Sequence, residues 1–328
     1  MHDHGLVADS PERNGSEVDA DERTGSPPEM DHHPAEEDAE PRPLGQEAPE
    51  VIADASKIGE RRLDRSIPGT GITAFIGGMS VSFGAVSMAW AAASVSGSLS
   101  SPSIAHLVGA LFFPVGFIIL LVGKSELFTE NFFLPVTTVL ERHGTIGGLL
   151  RLWSVSLAAN LLGGLLFAFL ITRGSVLDSA PAQELIDLAD HKIDYSFTTA
   201  FVKAVFAGWL MTMLTWLLVA AEGFGSRMAI IWMIGTLIVL GSFNHVVISA
   251  TEIYMSMFLG ADISIADWFT RNFLPALVGN VIGGVVFVTL LNYVQAQYHA
   301  PSTDHPYRFS PRQERDARPT FEDPHDEA

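Results

Sequence analysis

Hydrophobic residues in this chain gather into long blocks instead of recurring at the spacing of a surface helix or a half-buried strand. Six blocks cover residues 71–95, 104–140, 146–172, 197–221, 228–259 and 273–294. About 20 apolar residues in a helix span the roughly 30 Å hydrocarbon core of a bilayer, so each block predicts at least one crossing. Between Arg65 and Lys124 there is no Asp, Glu, Lys or Arg, so no formal charge interrupts that stretch. The pattern predicts an all-α polytopic membrane protein with six transmembrane helices.

Two of the blocks are too long for one span. As a straight helix, residues 104–140 would extend roughly 55 Å, at about 1.5 Å per residue. That block also contains Lys124-Ser125-Glu126-Leu127-Phe128-Thr129-Glu130-Asn131, with three charged side chains. Residues 228–259 meet the same difficulty around Ser242-Phe243-Asn244-His245. Helices 2 and 5 are therefore expected to be interrupted. A repeat pairs the two places: the third block holds Asn160-Leu161-Leu162-Gly163-Gly164 and the sixth Asn280-Val281-Ile282-Gly283-Gly284. Three spans per half is an odd number, so the halves would be inverted three-helix repeats. Such repeats place a permeation site where paired breaks meet near the midplane. Asn160 and Asn280 are candidate anchors for backbone groups freed at the breaks, which lipid cannot solvate. The adjoining glycines permit close helix packing whatever the asparagines do.

Charge divides the chain further. The formal net charge is -18, yet residues 1–56 carry about 16 acidic and about 3 basic residues and so supply most of it. That segment is rich in Glu, Asp, Pro, Gly and Ser and is expected to be a disordered acidic N-terminal tail. Residues 57–298 form the expected transmembrane transport domain and 299–328 a polar C-terminal tail. Lys57, Arg61, Arg62 and Arg65 form a basic collar before the first span, and Arg142, Arg151 and Arg227 follow the second and fourth. By the positive-inside rule both termini face the cytoplasm, in a multi-pass protein of the cell (inner or plasma) membrane, and the acidic linker 178–190 lies outside. The N-terminus has no apolar core of a signal peptide. There is no cysteine. His2, His4, His32 and His33 lie in the tail without metal-ligand spacing, so neither a metal nor a cofactor is expected. No nucleophile triad or cofactor motif occurs. The chain is not expected to be an enzyme or to bind nucleic acid.

Several of these residues resemble motifs of the formate/nitrite transporter family. Glu126-Leu127-Phe128-Thr129 resembles the acidic-Leu-Phe-Thr motif of the family's interrupted second helix. Phe243-Asn244-His245 resembles the Phe-Glu-His of its fifth. Gly279-Asn280-Val281-Ile282-Gly283-Gly284 resembles the Gly-Asn-Ile-Ile-Gly-Gly of its sixth. Lys192 falls where the family has a lysine near the outer vestibule. The similarity runs from about Ile67 to Tyr293, and the extended Gly-Lys-Ser-Glu-Leu-Phe-Thr-Glu-Asn stretch is similar to a less characterised branch. The resemblance implies an aquaporin-like protomer, assembled as a homopentamer with one pore per protomer, for small monovalent anions such as formate, nitrite and hydrosulfide. This chain departs from the pattern at Asn244, which replaces the common Glu, and in the added charges Lys124, Glu130 and Glu252.

A bare anion is costly in a low-dielectric pore. Lys192 would draw anions to the vestibule; the plainer reading is a solvated loop lysine balancing Asp190 and Asp194. Half-helix N-termini after the breaks would offer N–H groups. His245, in an apolar stretch, would donate a proton or hydrogen bond to a passing weak acid, or serve only as a bonded structural histidine. Thr129 is a hydrogen-bonding group at the first break, or bonds back to its own helix. Leu127 and Phe128 form an apolar constriction or pack on a neighbour. Glu126 caps the half-helix or pairs with Lys124, and Lys203 should face protein. The expected partners are a small anion, protons and lipid. Two other readings stand beside transport of a weak-acid anion. One is a neutral-solute pore, although no Asn-Pro-Ala pair occurs at the breaks. The other is a membrane scaffold or sensor acting through the acidic tail.

Overall fold

A computed structural model of the protein describes residues 45–96 and 101–299. All regular structure among them is helical. Helix α1 (Ala48–Leu63) precedes α2 (Ile67–Ser96). Helices α3 (Pro102–Phe112) and α4 (Pro114–Val122) form one continuous rod with a single-residue interruption at Phe113. Pro114 has no N–H to continue the ladder, which accounts for the interruption. A tight 3₁₀ turn (Phe128–Phe132) leads to α5 (Leu134–Leu140). Then come α6 (Ile146–Ile171), α7 (Ser179–Ile193), α8 (Phe197–Ala220), α9 (Phe224–Leu240) and α10 (Val246–Leu259). The last helix, α11 (Ile265–Tyr298), widens into π-helical turns at Trp268–Phe273 and Ile282–Leu290. Local sequence sets several starts: proline occupies the first turn of α3 and α5, Thr145 accepts from Gly148 N–H at 3.1 Å, and Ser196 accepts from Thr199 N–H at 3.1 Å.

Among the described residues, five helices are long and apolar enough to cross a membrane: α2, the α3–α4 rod, α6, α8 and α11. Two shorter apolar helices, α9 and α10, flank residues 241–245. Their outward faces carry exposed Ile, Leu, Phe and Trp, including Leu162, Phe169, Phe206 and Trp232, as expected of surfaces that meet lipid or another subunit. Inside, the helices pair closely. A Cβ at Gly78 of α2 would lie 2.1 Å from Asn160 O of α6, and a Cβ at Gly208 of α8 would lie 2.2 Å from Asn280 O of α11. Only glycine permits these two approaches.

The residues assigned from composition to the disordered tail do not all behave as such. Residues 48–56 belong to α1, with Val51, Ile52 and Ala55 buried against Phe133 and Leu134. Burying a valine or isoleucine fully contributes about 1.5–3 kcal/mol, and this face offsets the ordering cost that average composition suggests. Residues 1–44 and 300–328 lie outside the described residues. The acidic linker 178–190 is also more ordered than a loop: α7 buries Leu185, Ala189 and Ile193.

Candidate functional site

Helices α4 and α9 end in the same way. After α4, Lys124 adopts a left-handed conformation (φ 60°), Lys124 N–H donates to Leu121 O at 3.3 Å, and Ser125 N–H donates to Leu120 O at 3.1 Å. After α9, Ser242 is left-handed (φ 47°), Ser242 N–H donates to Val239 O at 2.8 Å, and Phe243 N–H donates to Ile238 O at 3.0 Å. Both are Schellman closures, a position where glycine is usual. The chain then turns inward at each place.

Asn160 and Asn280 hold the turned segments by matched bonds. Asn160 Oδ1 accepts from Phe128 N–H at 2.7 Å, while its Nδ2 donates to Ala74 O at 2.6 Å and Glu126 O at 3.0 Å. Asn280 Oδ1 accepts from Val246 N–H at 2.9 Å, while its Nδ2 donates to Ala204 O at 2.8 Å and Asn244 O at 2.9 Å. Both side chains are wholly buried. Each thus ties a helix to both sides of a chain segment that has no regular ladder of its own.

The two segments meet at Thr129 and His245. Thr129 Oγ1 lies 2.9 Å from His245 Nε2, and both residues are buried. His245 is the N-cap of α10, and its Nδ1 accepts from Ile248 N–H at 3.3 Å. A ring nitrogen that accepts carries no proton, so the neutral imidazole has its hydrogen on Nε2 and donates it to Thr129. The threonine hydroxyl proton is left for another acceptor. Leu127 and Phe128 are buried beside them, and the Phe128 ring packs edge-on against Phe132 and Trp153.

The charged residues have partners that local sequence did not suggest. Glu126 neither caps a helix nor pairs with Lys124. Its Oε2 lies 2.8 Å from Arg65 Nη1 and 3.5 Å from Arg62 Nε, and the left-handed turn leaves Lys124 exposed. The capping role falls to Glu130, whose Oε1 accepts from Leu127 N–H at 2.9 Å while its Oε2 pairs with Arg62 Nη2 at 2.9 Å. Arg62 also donates to Asn131 Oδ1 at 2.8 Å. Helix α1 is thereby tied to the first break. Lys192 is not a solvated loop lysine beside Asp190 and Asp194. It lies in the last turn of α7, buried, and pairs with Glu252 of α10. Lys203 faces the second break, donating to Gly241 O at 3.0 Å, with its Nζ 5.2 Å from the centre of the Tyr195 ring.

Asn272 escaped the sequence reading. It lies in the first π-helical stretch of α11, wholly buried, and its Nδ2 donates to Asn244 Oδ1 at 3.0 Å. Its signal was modest, a polar residue eight places before Asn280. No cluster of His, Cys, Asp and Glu suited to a metal ion occurs among the described residues.

Comparisons with known proteins agree on what this chain is related to. Over 258 residues, 76% of this chain, it is 29% identical to the uncharacterized transporter YrhG of Bacillus subtilis (strain 168), covering 93% of that protein. Its fold matches a solved FNT family ion channel with a TM-score of 0.67 at 22% identity, over 75% of this chain and 98% of the other. It also matches a pentameric formate channel with formate bound, with a TM-score of 0.61 at 20% identity, over 70% and 98% of the two chains. The family described as formate/nitrite transporter, made up of transporters and channels and not of enzymes, matches residues 49–294. With a family match over most of its length and several helices fit to span a bilayer, the chain is a multi-pass membrane protein that belongs to the formate/nitrite transporter family.

Proposed function

We propose that this protein conducts a small monovalent weak-acid anion, formate, nitrite or similar, through a pore in each protomer of a homopentamer. The observation that carries the reading is the buried 2.9 Å contact between Thr129 and His245, which joins two chain segments that each interrupt an apolar block. Six spans arranged as two inverted three-helix repeats account for the matched Schellman closures and the matched asparagine anchors. The pentamer rests on the pentameric formate channel that shares the fold. The cytoplasmic position of both termini rests on the arginine distribution.

In this reading a solute reaches Thr129 past Leu127 and Phe128, whose apolar side chains favour a dehydrated solute. The Nε2–H of His245 occupies one lone pair of Thr129, so that the threonine hydroxyl donates to the solute oxygen. The histidine acts by hydrogen bonding in its neutral form. Protonating Nδ1 would set it against the Ile248 N–H that it now accepts from. The N-terminus of α10 adds a favourable dipole end for an anion.

The test is a flux panel on purified protein in liposomes, with formate, nitrite and hydrosulfide over a range of pH. His245→Ala and His245→Phe, which remove the Nε2–H donor, are expected to change the rate at every pH. If both carried all three solutes as the parent does at every pH, the role given to His245 would be wrong.

A further inference from the structure

The side chain of Asn244 is wholly buried, and its amide has Asn272 as its partner at one end. The other end, Nδ2, has no partner among the described residues. Buried amide donors are seldom left this way, because the lost contact with water goes unreplaced. The position adjoins His245, and the bonds around it form a chain that returns there. Asn272 Oδ1 lies 3.0 Å from Ser249 Oγ, and Ser249 Oγ lies 2.7 Å from His245 O.

That chain has two polarities. A serine hydroxyl has one proton for the two acceptors it faces. When the proton goes to Asn272 Oδ1, Asn272 Nδ2 donates to Asn244 Oδ1, and Asn244 presents a free N–H donor. When it goes to His245 O, both amides turn over. Asn272 Nδ2 then donates to Ser249 Oγ, Asn244 Nδ2 donates to Asn272 Oδ1, and the free end of Asn244 is a carbonyl acceptor. An amide occupies nearly the same space after a half-turn about its last side-chain bond, so no backbone need move.

We propose that the free amide end of Asn244 is a solute contact beside His245, a donor to the oxygen of a weak-acid anion and an acceptor for the O–H of its neutral form. One position then serves both protonation states of the same small acid. The inference rests on the pore reading above and extends it from transport to specificity. The glutamate that the family resemblance gives at this position cannot fill the role when ionised, since a carboxylate only accepts and repels an anion.

Asn244→Asp separates solute contact from structural support. An aspartate keeps the acceptor for Asn272 and replaces the free N–H donor by a carboxylate oxygen. Formate uptake into proteoliposomes at neutral pH is measured for the parent, Asn244→Asp and Asn244→Leu, each first shown to be monodisperse and to keep the parent's melting temperature. Losing a hydrogen bond to a charged solute corresponds to a rate about ten-fold lower or more, so both variants are expected to fall by at least that much. A side chain that only supports Asn272 and lies out of reach of the solute would leave Asn244→Asp near the parent rate. Asn244→Asp transport within about two-fold of an active parent would therefore overturn the inference and leave the pore reading standing. If Asn244→Leu does not fold, the aspartate variant still decides. A parent that carries formate, nitrite and hydrosulfide no faster than empty liposomes would overturn the pore reading and this inference with it.

Discussion

Replacing Asn160 by alanine removes three hydrogen bonds at once: from Phe128 N–H at 2.7 Å, to Ala74 O at 2.6 Å and to Glu126 O at 3.0 Å. Inside membrane bundles such bonds average about 0.6 kcal/mol and reach about 1.7. Their combined loss is then about 2–5 kcal/mol, before any cavity left by the amide. At roughly 2–4 °C per kcal/mol for a domain of this size, the melting temperature should fall by at least about 4 °C. Asn280→Ala should cost about as much, because its three bonds are 2.9, 2.8 and 2.9 Å long. Asn160→Asp is the sharper probe. It is nearly isosteric and still accepts from Phe128 N–H, yet it turns an oxygen toward the two carbonyls that Nδ2 now serves. It should therefore be no milder than alanine, whereas a residue that merely fills space would tolerate it. Thermal unfolding of the purified protein in detergent, followed by size-exclusion chromatography, reads all three. An Asn160→Ala protein melting within about 2 °C of the parent would show that the break does not depend on this side chain.

Two further perturbations address the buried charges. Lys192→Met or Glu252→Leu alone leaves one charge unpaired in the interior and should cost about 3–5 kcal/mol, while the double replacement should recover most of the loss; thermal unfolding of the four proteins forms the cycle, and additive losses would contradict the pairing. Arg62→Gln strands Glu130 and part of the charge on Glu126, so it should destabilise the protein more than Arg65→Gln, whose parent side chain is more exposed; equal melting temperatures for the two variants would argue against that order.

The sequence made some of this legible and hid the rest for physical reasons. Asn160 and Asn280 stood out because a polar residue in an apolar block must find partners, and the same Asn-x-x-Gly-Gly spacing recurs in both halves. The sequence set Thr129 and His245 each at a break, but their direct 2.9 Å contact depends on tertiary packing and was not foreseen. Ion pairs were opaque because they are tertiary. Glu252 lies sixty residues from Lys192, and Glu130 lies sixty-eight from Arg62. Local sequence offered nearer but wrong partners in Asp190, Asp194 and Lys124. The start of α1 was hidden for another reason. Val51, Ile52 and Ala55 are too few to alter the average composition of an acidic segment, yet they share one helical face and find a core to cover.

The pairing of these charges bears on how an anion would cross. Lys192 is neutralised by Glu252, and the carboxylates of Glu126 and Glu130 by Arg62 and Arg65. A charge already matched at contact distance has little field left for a solute several ångströms away. On the proposed route the attraction for an anion would then come from neutral groups: the Thr129 hydroxyl, the amide of Asn244 and the N-terminus of α10. Such dipoles stabilise a full charge less than a free cation would, and they can serve the neutral form of the acid nearly as well. A path built this way should pass the protonated solute more readily than the ionised one at its centre. It should discriminate strongly against ions whose charge cannot be removed by a proton, so chloride or nitrate should move far more slowly than formate in the same liposomes. Comparable rates for chloride and formate would place an unpaired positive charge on the path and refute the pairing of Lys192 as the operative state.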